Sequence, residues 1–168
     1  ESLKTAAHDI VILDIDEPSL ASMNATHGRW PWPRDVLAAV VADLHAQGAA
    51  AVVFDILFAD RDALSPTADE AFVTALEAAP RTYFAVGRLD PHLDARSQVR
   101  LAQLPGLVRV DRVDAGERTV ALLLPWFDAI VRSGRLGTIN VQPDADQVVR
   151  SYPLWEEFPG ARLWSLPA

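Results

Sequence analysis

The sequence contains no cysteine among its 168 residues. Disulfide frameworks, thiolate metal sites and cysteine nucleophiles are therefore excluded, whereas the compartment stays open because many secreted bacterial domains also lack cysteine. The sequence also lacks any apolar run near the roughly 18 to 20 residues that cross a bilayer. Its opening, Glu1–Lys4, lacks the apolar centre of a signal peptide. We expect the chain as given to be soluble. We also expect it to be a piece of a longer protein, since it starts without methionine and stops where an apolar stretch begins.

Positive charge and metal-ligand patterns are also scarce. The formal net charge is −8 and the arginines are scattered, so the chain would repel phosphate backbones and we expect no nucleic-acid partner. The four histidines show no metal-ligand spacing, and neither a Gly-x-Ser-x-Gly elbow nor a phosphate-cradling glycine loop occurs. We therefore expect no catalytic residue, no metal site and no cofactor.

The proportions of hydrophobic and charged residues are those of an ordinary globular domain. Hydrophobic residues make up 50% of the chain and charged residues 23%, and the length suits one hydrophobic core. We therefore predict a single domain over residues 1–168.

Two short apolar runs, 10–16 and 50–56, carry aspartate near their ends. Continuous runs rich in Val and Ile are typical of parallel strands covered on both faces. Between them, residues 33–47 carry an apolar stripe of helical spacing that Gly48 can end. Strand, helix and strand predict a βαβ unit with a right-handed crossover, whose two aspartate-bearing ends lie side by side.

The later sequence predicts more strands than helices. A helix over 68–79, with Thr67 and Glu70 as a capping box, precedes another parallel strand over 82–87. Then follow a hairpin of 107–113 and 118–124 turned at 114–116, a short helix over 125–133 ended by Gly134, and strands over 137–141, 148–158 and 161–166. The predicted fold is α/β: a central mixed sheet with a parallel βαβ core, helices packed on it, and an antiparallel C-terminal extension.

Three acids are the first candidates for a site. Asp14 and Asp16 leave the same face of the first predicted strand, and Asp55 ends its neighbour. Ligands of open α/β sheets bind outside the carboxyl ends of strands, so the acids could bind a metal, an ammonium-bearing ligand or nearby arginines. The alternative is structural, because Asp16 can cap a short helix that starts at Glu17 with Pro18 in its first turn.

The second candidate is the string Gly-Arg-Trp-Pro-Trp-Pro-Arg at 28–34. Its two tryptophans stand between prolines, and such stiff aromatic segments make good recognition surfaces. We predict ligand contacts from Arg29, Trp30, Trp32 and Arg34 together with the three acids. The alternative is that one tryptophan packs the start of the next helix onto the core.

The acidic pair Asp144-x-Asp146 could bind calcium weakly, but it lacks the further oxygen ligands and the glycine of an EF-hand loop. We interpret it as a turn built on hydrogen bonds from side chains to the backbone.

Several spaced motifs resemble a known family. They are Asp-Ile-Asp-Glu-Pro-Ser-Leu at 14–20, the tryptophan string at 28–34, and Phe-Asp-Ile-Leu-Phe at 54–58. Asn140-Val141 and the stretch from Pro143 to Leu154 follow in the right order. Over nearly the whole chain the sequence resembles the CHASE domain of the second type, a sensory extracellular module associated with cyclases and histidine kinases.

The resemblance implies an extracytoplasmic sensor in a bacterial inner-membrane receptor. Such a domain usually follows an N-terminal membrane helix and precedes several more, which lead to a cytoplasmic nucleotide cyclase or kinase. It implies membrane contact through flanking helices absent from this chain, an unidentified small-molecule ligand and a homodimeric receptor, and it implies that the domain itself is not an enzyme. Two positions depart from the family pattern: Gln147 stands where the turn usually has glycine, and Thr138 where an aromatic residue or histidine is usual.

Two other functions compete with the sensor. A haloacid-dehalogenase-like phosphatase would use Asp14 as nucleophile and Asp16 as acid with magnesium. However, Pro18 stands where that pattern expects Thr or Val, and the only lysine, Lys4, precedes the first strand. The remaining alternative is a structural module that sets the dimer geometry of its membrane protein without any ligand.

Overall fold

The computed structural model describes residues 9–63, 65–109 and 118–166. Short 3-10 turns span Pro91–Arg96 and Leu101–Gln103. The helices are α1 (Glu17–His27), α2 (Arg34–Ala46), α3 (Pro66–Ala78) and α4 (Asp128–Ser133), and the strands are β1 (Val52–Phe54), β2 (Thr82–Arg88), β3 (Val108–Arg109), β4 (Leu122–Leu123), β5 (Leu136–Thr138), β6 (Trp155–Phe158) and β7 (Ala161–Trp164).

The larger sheet is built around β2. Strand β1 pairs with one side of β2 and β5 with the other, both in parallel, while β4 pairs antiparallel with the last residues of β2. Because α3 connects β1 to β2, these three elements form the parallel βαβ core of the predicted mixed sheet. The predicted α/β class is therefore confirmed.

Helices α2 and α3 cover one face of this sheet, because each has an apolar stripe. Leu37 and Val41 of α2 and Leu76 of α3 are buried in the same core cluster. Five phenylalanines fill the space between the helices and the sheet, with ring centroids 5.1 to 6.3 Å apart. They are Phe54, Phe58, Phe72, Phe84 and Phe127.

The predicted antiparallel extension is a second sheet in the order β3, β7, β6. It joins the first sheet where Thr138 and Ser165 form a parallel bridge. Gly137 permits this junction, because a Cβ atom at that position would lie 2.5 Å from the Cα of Leu166. A glycine is required where two backbones approach this closely.

The predicted first strand is not formed. Residues 10–16 have no strand pairing, and the side chains of Ile10 to Leu13 are 62 to 85% exposed. The run has the composition of a strand, but a strand also needs a neighbour for its backbone groups, and the rest of the described chain supplies none. The βαβ unit therefore begins at β1, one strand later than predicted, and its helix is α3 instead of the helix predicted over 33–47.

The predicted hairpin is also wrong in its described parts. Strand β3 pairs with β7, and β4 pairs with β2 instead of with β3. The predicted turn at 114–116 lies outside the described residues. Residues 148–154 form no strand, so only the last part of the predicted strand 148–158 is present. These pairings join distant parts of the chain, which alternation along the sequence does not reveal.

Helix α3 begins two residues earlier than predicted. Its first residue is Pro66 and its N-cap is Ser65, which makes no side-chain capping bond. Thr67 therefore lies inside the helix, and the predicted capping box is wrong. A proline is well suited to the first helical position, where its missing N–H costs nothing.

Candidate functional site

The carboxyl ends of β1, β2 and β5 point to one edge of the sheet, since the three strands are parallel. Helices α2 and α3 run antiparallel to the strands they precede, so their first turns lie at the same edge. This arrangement brings Asp55, which follows β1, to the edge that also holds Arg34 and Asp69 of the two helices. We call it the carboxyl edge, and ligands of open α/β sheets bind at such an edge.

The tryptophan-proline segment leads into α2 at the carboxyl edge. Trp32 is 7% exposed, whereas the Trp30 side chain is 36% exposed and Arg29 is also exposed. The two indole rings contact each other edge to face, with centroids 5.2 Å apart. Trp32 thus packs the start of α2 onto the domain, as the structural alternative predicted, while Trp30 and Arg29 remain accessible to a ligand.

Arg34 is buried at this edge, with 8% of its surface exposed. Its guanidinium lies over the ring of Phe58, 4.7 Å from the centroid. Burial lowers the pKa of Arg34, and the negative charges of Asp69 and Asp62 oppose that shift. The charge of the guanidinium is therefore balanced by acids from the loop after β1 and from α3.

Asp69 is a buried acid that sequence reasoning missed. Only 4% of its surface is exposed, and its Oδ2 accepts a hydrogen bond from the backbone N–H of Asp62 at 3.0 Å. In the sequence it is an ordinary acid in the first turn of an amphipathic helix, where exposed acids are common. The only signal was its position three residues before Phe72, where the buried stripe starts, which puts it on the same face of the helix.

A further aromatic contact lies beside Phe58. The backbone N–H of Trp126 donates to the carbonyl of Phe58 at 2.9 Å, and the Arg61 guanidinium lies 4.6 Å from the centre of the Trp126 ring. Trp126 therefore belongs to the carboxyl edge, although it follows β4 in the chain.

Buried polar atoms without a hydrogen-bond partner gather at the carboxyl edge. Within the described ranges four such side-chain atoms occur, and each belongs to a residue of this edge. A buried polar atom without a partner lowers the stability of the fold, so a cluster of four such atoms indicates a candidate ligand site. The atoms are Trp32 Nε1, Arg34 Nε, Asp69 Oδ1 and Trp126 Nε1.

The first two predicted acids lie apart from this cluster. Asp16 is the N-cap of α1 and accepts hydrogen bonds from the backbone N–H of Ser19 at 2.9 Å and from its hydroxyl at 2.6 Å. These bonds lower the pKa of Asp16. Asp14 is exposed in the unpaired segment. The strand pairing that would place these two acids beside Asp55 is absent, and no cluster of acids or histidines suited to a metal ion occurs in the part of the chain that the structure describes.

Asp55 is exposed and lies near Tyr152. Burial raises the pKa of Tyr152, and the negative charge of Asp55 adds to that rise. Tyr152 belongs to the segment that leads into β6, so Asp55 lies between the parallel sheet and the C-terminal part of the chain. The roles of the predicted residues in ligand binding stay predictions.

A second polar cluster, also missed in the sequence, is centred on Arg88 at the end of β2. Its guanidinium donates to both carboxylate oxygens of Asp94, at 2.7 and 2.8 Å, and its side chain is 9% exposed. These bonds lower the pKa of Asp94. The side chain of Asn140 pairs with the backbone N–H and C=O of Arg88, at 2.6 and 2.9 Å. The Asn140 amide thus takes the place of a strand residue beyond the end of β5.

The acidic turn is held by an arginine. Arg150 pairs with Asp144 at 2.8 Å and with Asp146 at 2.6 Å, and the backbone N–H of Val148 donates to the Asp146 carboxylate at 3.2 Å. The interpretation as a turn is therefore confirmed. Gln147, at the position of the family's usual glycine, has a φ of 64°, in the left-handed region.

The comparisons with known proteins gave one match. The family model described as "CHASE2 domain" matches residues 2–168. No curated protein and no solved structure is significantly similar to the chain. In the described ranges, no helix is both long and apolar enough to cross a membrane.

Proposed function

Because the chain belongs to the CHASE2 domain family, we propose that it is the extracytoplasmic sensory domain of a bacterial transmembrane signalling receptor. CHASE2 domains are extracellular sensory domains and not catalytic ones. The receptor carries a cyclase or protein kinase as its output domain, is held in the membrane by helices that flank this domain, and acts as a homodimer. The observation that carries the proposal is the family match over the whole chain.

We place the ligand at the carboxyl edge. The unpartnered N–H groups of Trp32, Arg34 and Trp126 and the free Oδ1 of Asp69 support this choice, because a polar ligand can supply the bonds that they lack. They suit a small molecule that carries both acceptor oxygens and a hydrogen-bond donor. Opening of this edge is needed to reach them, since all four residues are largely covered.

The exposed predicted residues surround this buried set. Arg29, Trp30 and Asp55 offer a cation, an aromatic surface and a carboxylate to an arriving ligand. Asp14 and Asp16 lie apart from the buried set, on the segment that leads to Arg29, and we propose them only as outer contacts. Ligand binding then shifts the start of α2 relative to β1, and the shift is relayed to the flanking membrane helices.

The test is the signalling output of the full-length receptor with a double substitution, Trp30→Ala and Asp55→Asn. Both side chains are exposed, so the domain stays folded while the response to stimulus falls at least tenfold. Trp164→Ala is the matched control, because Trp164 is 48% exposed but lies on β7. A full response from the double variant, or an equal loss in the control, would contradict the ligand site.

The ligand-free structural module remains the second candidate, and one observation favours it. Residues Ile10 to Leu13 present an apolar surface to solvent, which suits assembly better than ligand binding. The two candidates differ in thermal unfolding. In a panel of amino acids, dicarboxylates and polyamines at millimolar concentration, a compound that binds stabilises a sensor by an amount that grows with the logarithm of its concentration over Kd, whereas a structural module is unaffected by every compound.

A further inference from the structure

The first described part of the chain is an arm that buries no residue, although Trp30 near its end contacts Trp32. None of residues 9–31 is buried, including all of α1. The exposed fractions of Ile10, Val11, Ile12 and Leu13 are 71, 81, 85 and 62%. These side chains favour a β-strand, and four adjacent exposed apolar residues are costly in water. The arm therefore has a strand-forming segment without a partner.

The larger sheet has an edge, along β1, that could pair with such a strand. Strand β1 pairs only with β2 among the described strands, so its outer edge is open. The N–H of Val52 donates to the carbonyl of Arg81 on the β2 side, which turns the N–H and C=O of Val53 toward the open edge. An open edge of this kind is a template for another strand.

The sheet face beside this edge is also uncovered. Val53 is 53% exposed and its neighbour in the register, Tyr83, is 40% exposed. Helices α2 and α3 cover the opposite face. A strand added beside β1 would therefore extend the apolar surface that Val53 begins.

The connection between the arm and α2 keeps the two surfaces apart. It is short, and it contains Pro31 and Pro33, whose ring-locked φ angles make it stiff. Gly28, with a φ of 77°, ends α1. Short stiff hinges favour exchange of an arm between two copies over its return to the same chain.

We propose that residues Ile10 to Leu13 of one copy pair as a strand with the outer edge of β1 in a second copy, and that the exchange is reciprocal. A two-fold arrangement pairs both arms and both outer edges of β1 at once, whereas one-way addition would propagate into a fibre. The inference deepens the proposed homodimer. The cross-linking test reports strand pairing and not the response to a stimulus, so its failure would overturn the exchange without deciding the sensory function.

The absence of cysteine permits a direct test. Two differently tagged chains, one with Ile12→Cys and one with Val53→Cys, are mixed, incubated to allow exchange and treated with a short bismaleimide, which tolerates a shift of one residue in register. The expected product is a covalent heterodimer. A chain that carries both substitutions should give covalent dimers and not an internally cross-linked monomer.

Leu93→Cys in place of Val53→Cys is the matched control. Leu93 is also an exposed apolar residue, 40% exposed, but it lies in the 3-10 turn after β2, so no cross-link to position 12 is expected. Internal cross-linking of the double-cysteine chain would show that the arm returns to its own sheet. That result, or no cross-link between positions 12 and 53, would overturn the proposal.

Sedimentation supplies an independent measurement. Ile12→Asp should weaken the dimer by roughly 100-fold or more, since two apolar contacts are lost per dimer. Val149→Asp, at another exposed apolar position, should leave the dimer unchanged. A chain that sediments as a monomer at all concentrations, or an equal effect of both substitutions, would contradict the exchange.

Discussion

The parallel core and the N-terminal arm contain nearly the same kind of sequence but differ in structure. Residues 52–54 read Val-Val-Phe and form β1, whereas residues 10–13 read Ile-Val-Ile-Leu and form no strand. Composition therefore does not separate them. The difference is that β1 has β2 beside it, whereas residues 10–13 pair with no strand among the described residues. The comparison teaches that an apolar, β-branched run marks a surface that needs a partner and does not say where that partner is.

The largest expected difference in stability is between truncation of an apolar side chain in the parallel core and truncation of one in the arm. Phe84 is fully buried and its ring lies 5.1 to 6.3 Å from four other phenylalanine rings. Phe84→Ala should lower the free energy of unfolding by about 3 to 5 kcal/mol. Ile12→Ala, measured by urea denaturation at concentrations where the chain is monomeric, should change it by less than about 0.5 kcal/mol.

Equal losses of unfolding free energy in the two variants would contradict the contrast between the buried core and the exposed arm. Such a result would mean that Ile12 is buried against its own chain, because only burial makes truncation of an apolar side chain expensive. A small loss for Phe84→Ala is not compatible with the five-ring core. The urea midpoint and slope together separate these outcomes from a change in the unfolded state.

A smaller effect is expected where β2 ends. Asp94 neutralises the buried guanidinium of Arg88, which also lies 5.5 Å from the Phe158 ring. Asp94→Asn removes one charge of the pair and should lower the free energy of unfolding at pH 7 by about 2 to 3 kcal/mol. Asp128→Asn is the control, because its pair with Arg132 is long, 3.7 Å, and both side chains are exposed. It should have no measurable effect.

The stabilisation by Asp94 should depend on pH in a definite direction. The pKa of Asp94 is lower in the folded chain than in the unfolded chain, so its contribution is complete above the unfolded pKa of about 3.9 and is lost as the pH falls through the folded pKa. The difference between the parent chain and Asp94→Asn should therefore narrow below about pH 4. If the difference in unfolding free energy between the two chains were constant from pH 7 to pH 3, the carboxylate charge would contribute nothing to stability.

The regular part of the fold was readable from the sequence. The stripe of Leu37, Val41 and Leu44 predicted α2, and the prolines and Gly134 marked where elements start or end. These signals are local, because spacing of apolar residues within one element decides which face is buried. The alternative role of Asp16 as a helix cap was predictable for the same reason, since the capping carboxylate and the N–H of Ser19 that donates to it lie three residues apart.

The polar clusters were not readable, because their members lie far apart in the chain. Arg88 and Asn140 are separated by 52 positions, and nothing near Asn140 predicts that its amide pairs with the end of β2. Asp69 looks like a solvent-facing acid until α2 brings Arg34 to it. The same reason explains the wrong hairpin, since the paired residues of β3 and β7 lie 52 and 54 positions apart. Long-range pairing depends on the assembled fold and not on the local pattern.

The smallest expected effect lies in another exposed region, residues 141–150, none of which is buried. Gln147 has a φ of 64°, a backbone conformation that is unfavourable for a residue with a Cβ atom but not for glycine. The turn keeps its shape because Arg150 pairs with both of its acids and the backbone N–H of Gln147 donates to the carbonyl of Asp144 at 2.8 Å. In this region, unlike the arm, local bonds alone hold the backbone.

Gln147→Gly should therefore raise the free energy of unfolding by about 1 kcal/mol, the cost of a left-handed backbone for a residue with a Cβ atom. Gln142→Gly is the matched control, because Gln142 is also exposed in this region and is not in the left-handed region. There the added freedom of the unfolded chain should make glycine neutral or slightly destabilising. The measurement is the urea midpoint at pH 7. A loss of stability in Gln147→Gly would mean that the glutamine side chain itself holds the turn, and local backbone and ion-pair bonds would then not explain why this exposed region, unlike residues 10–13, keeps a defined shape.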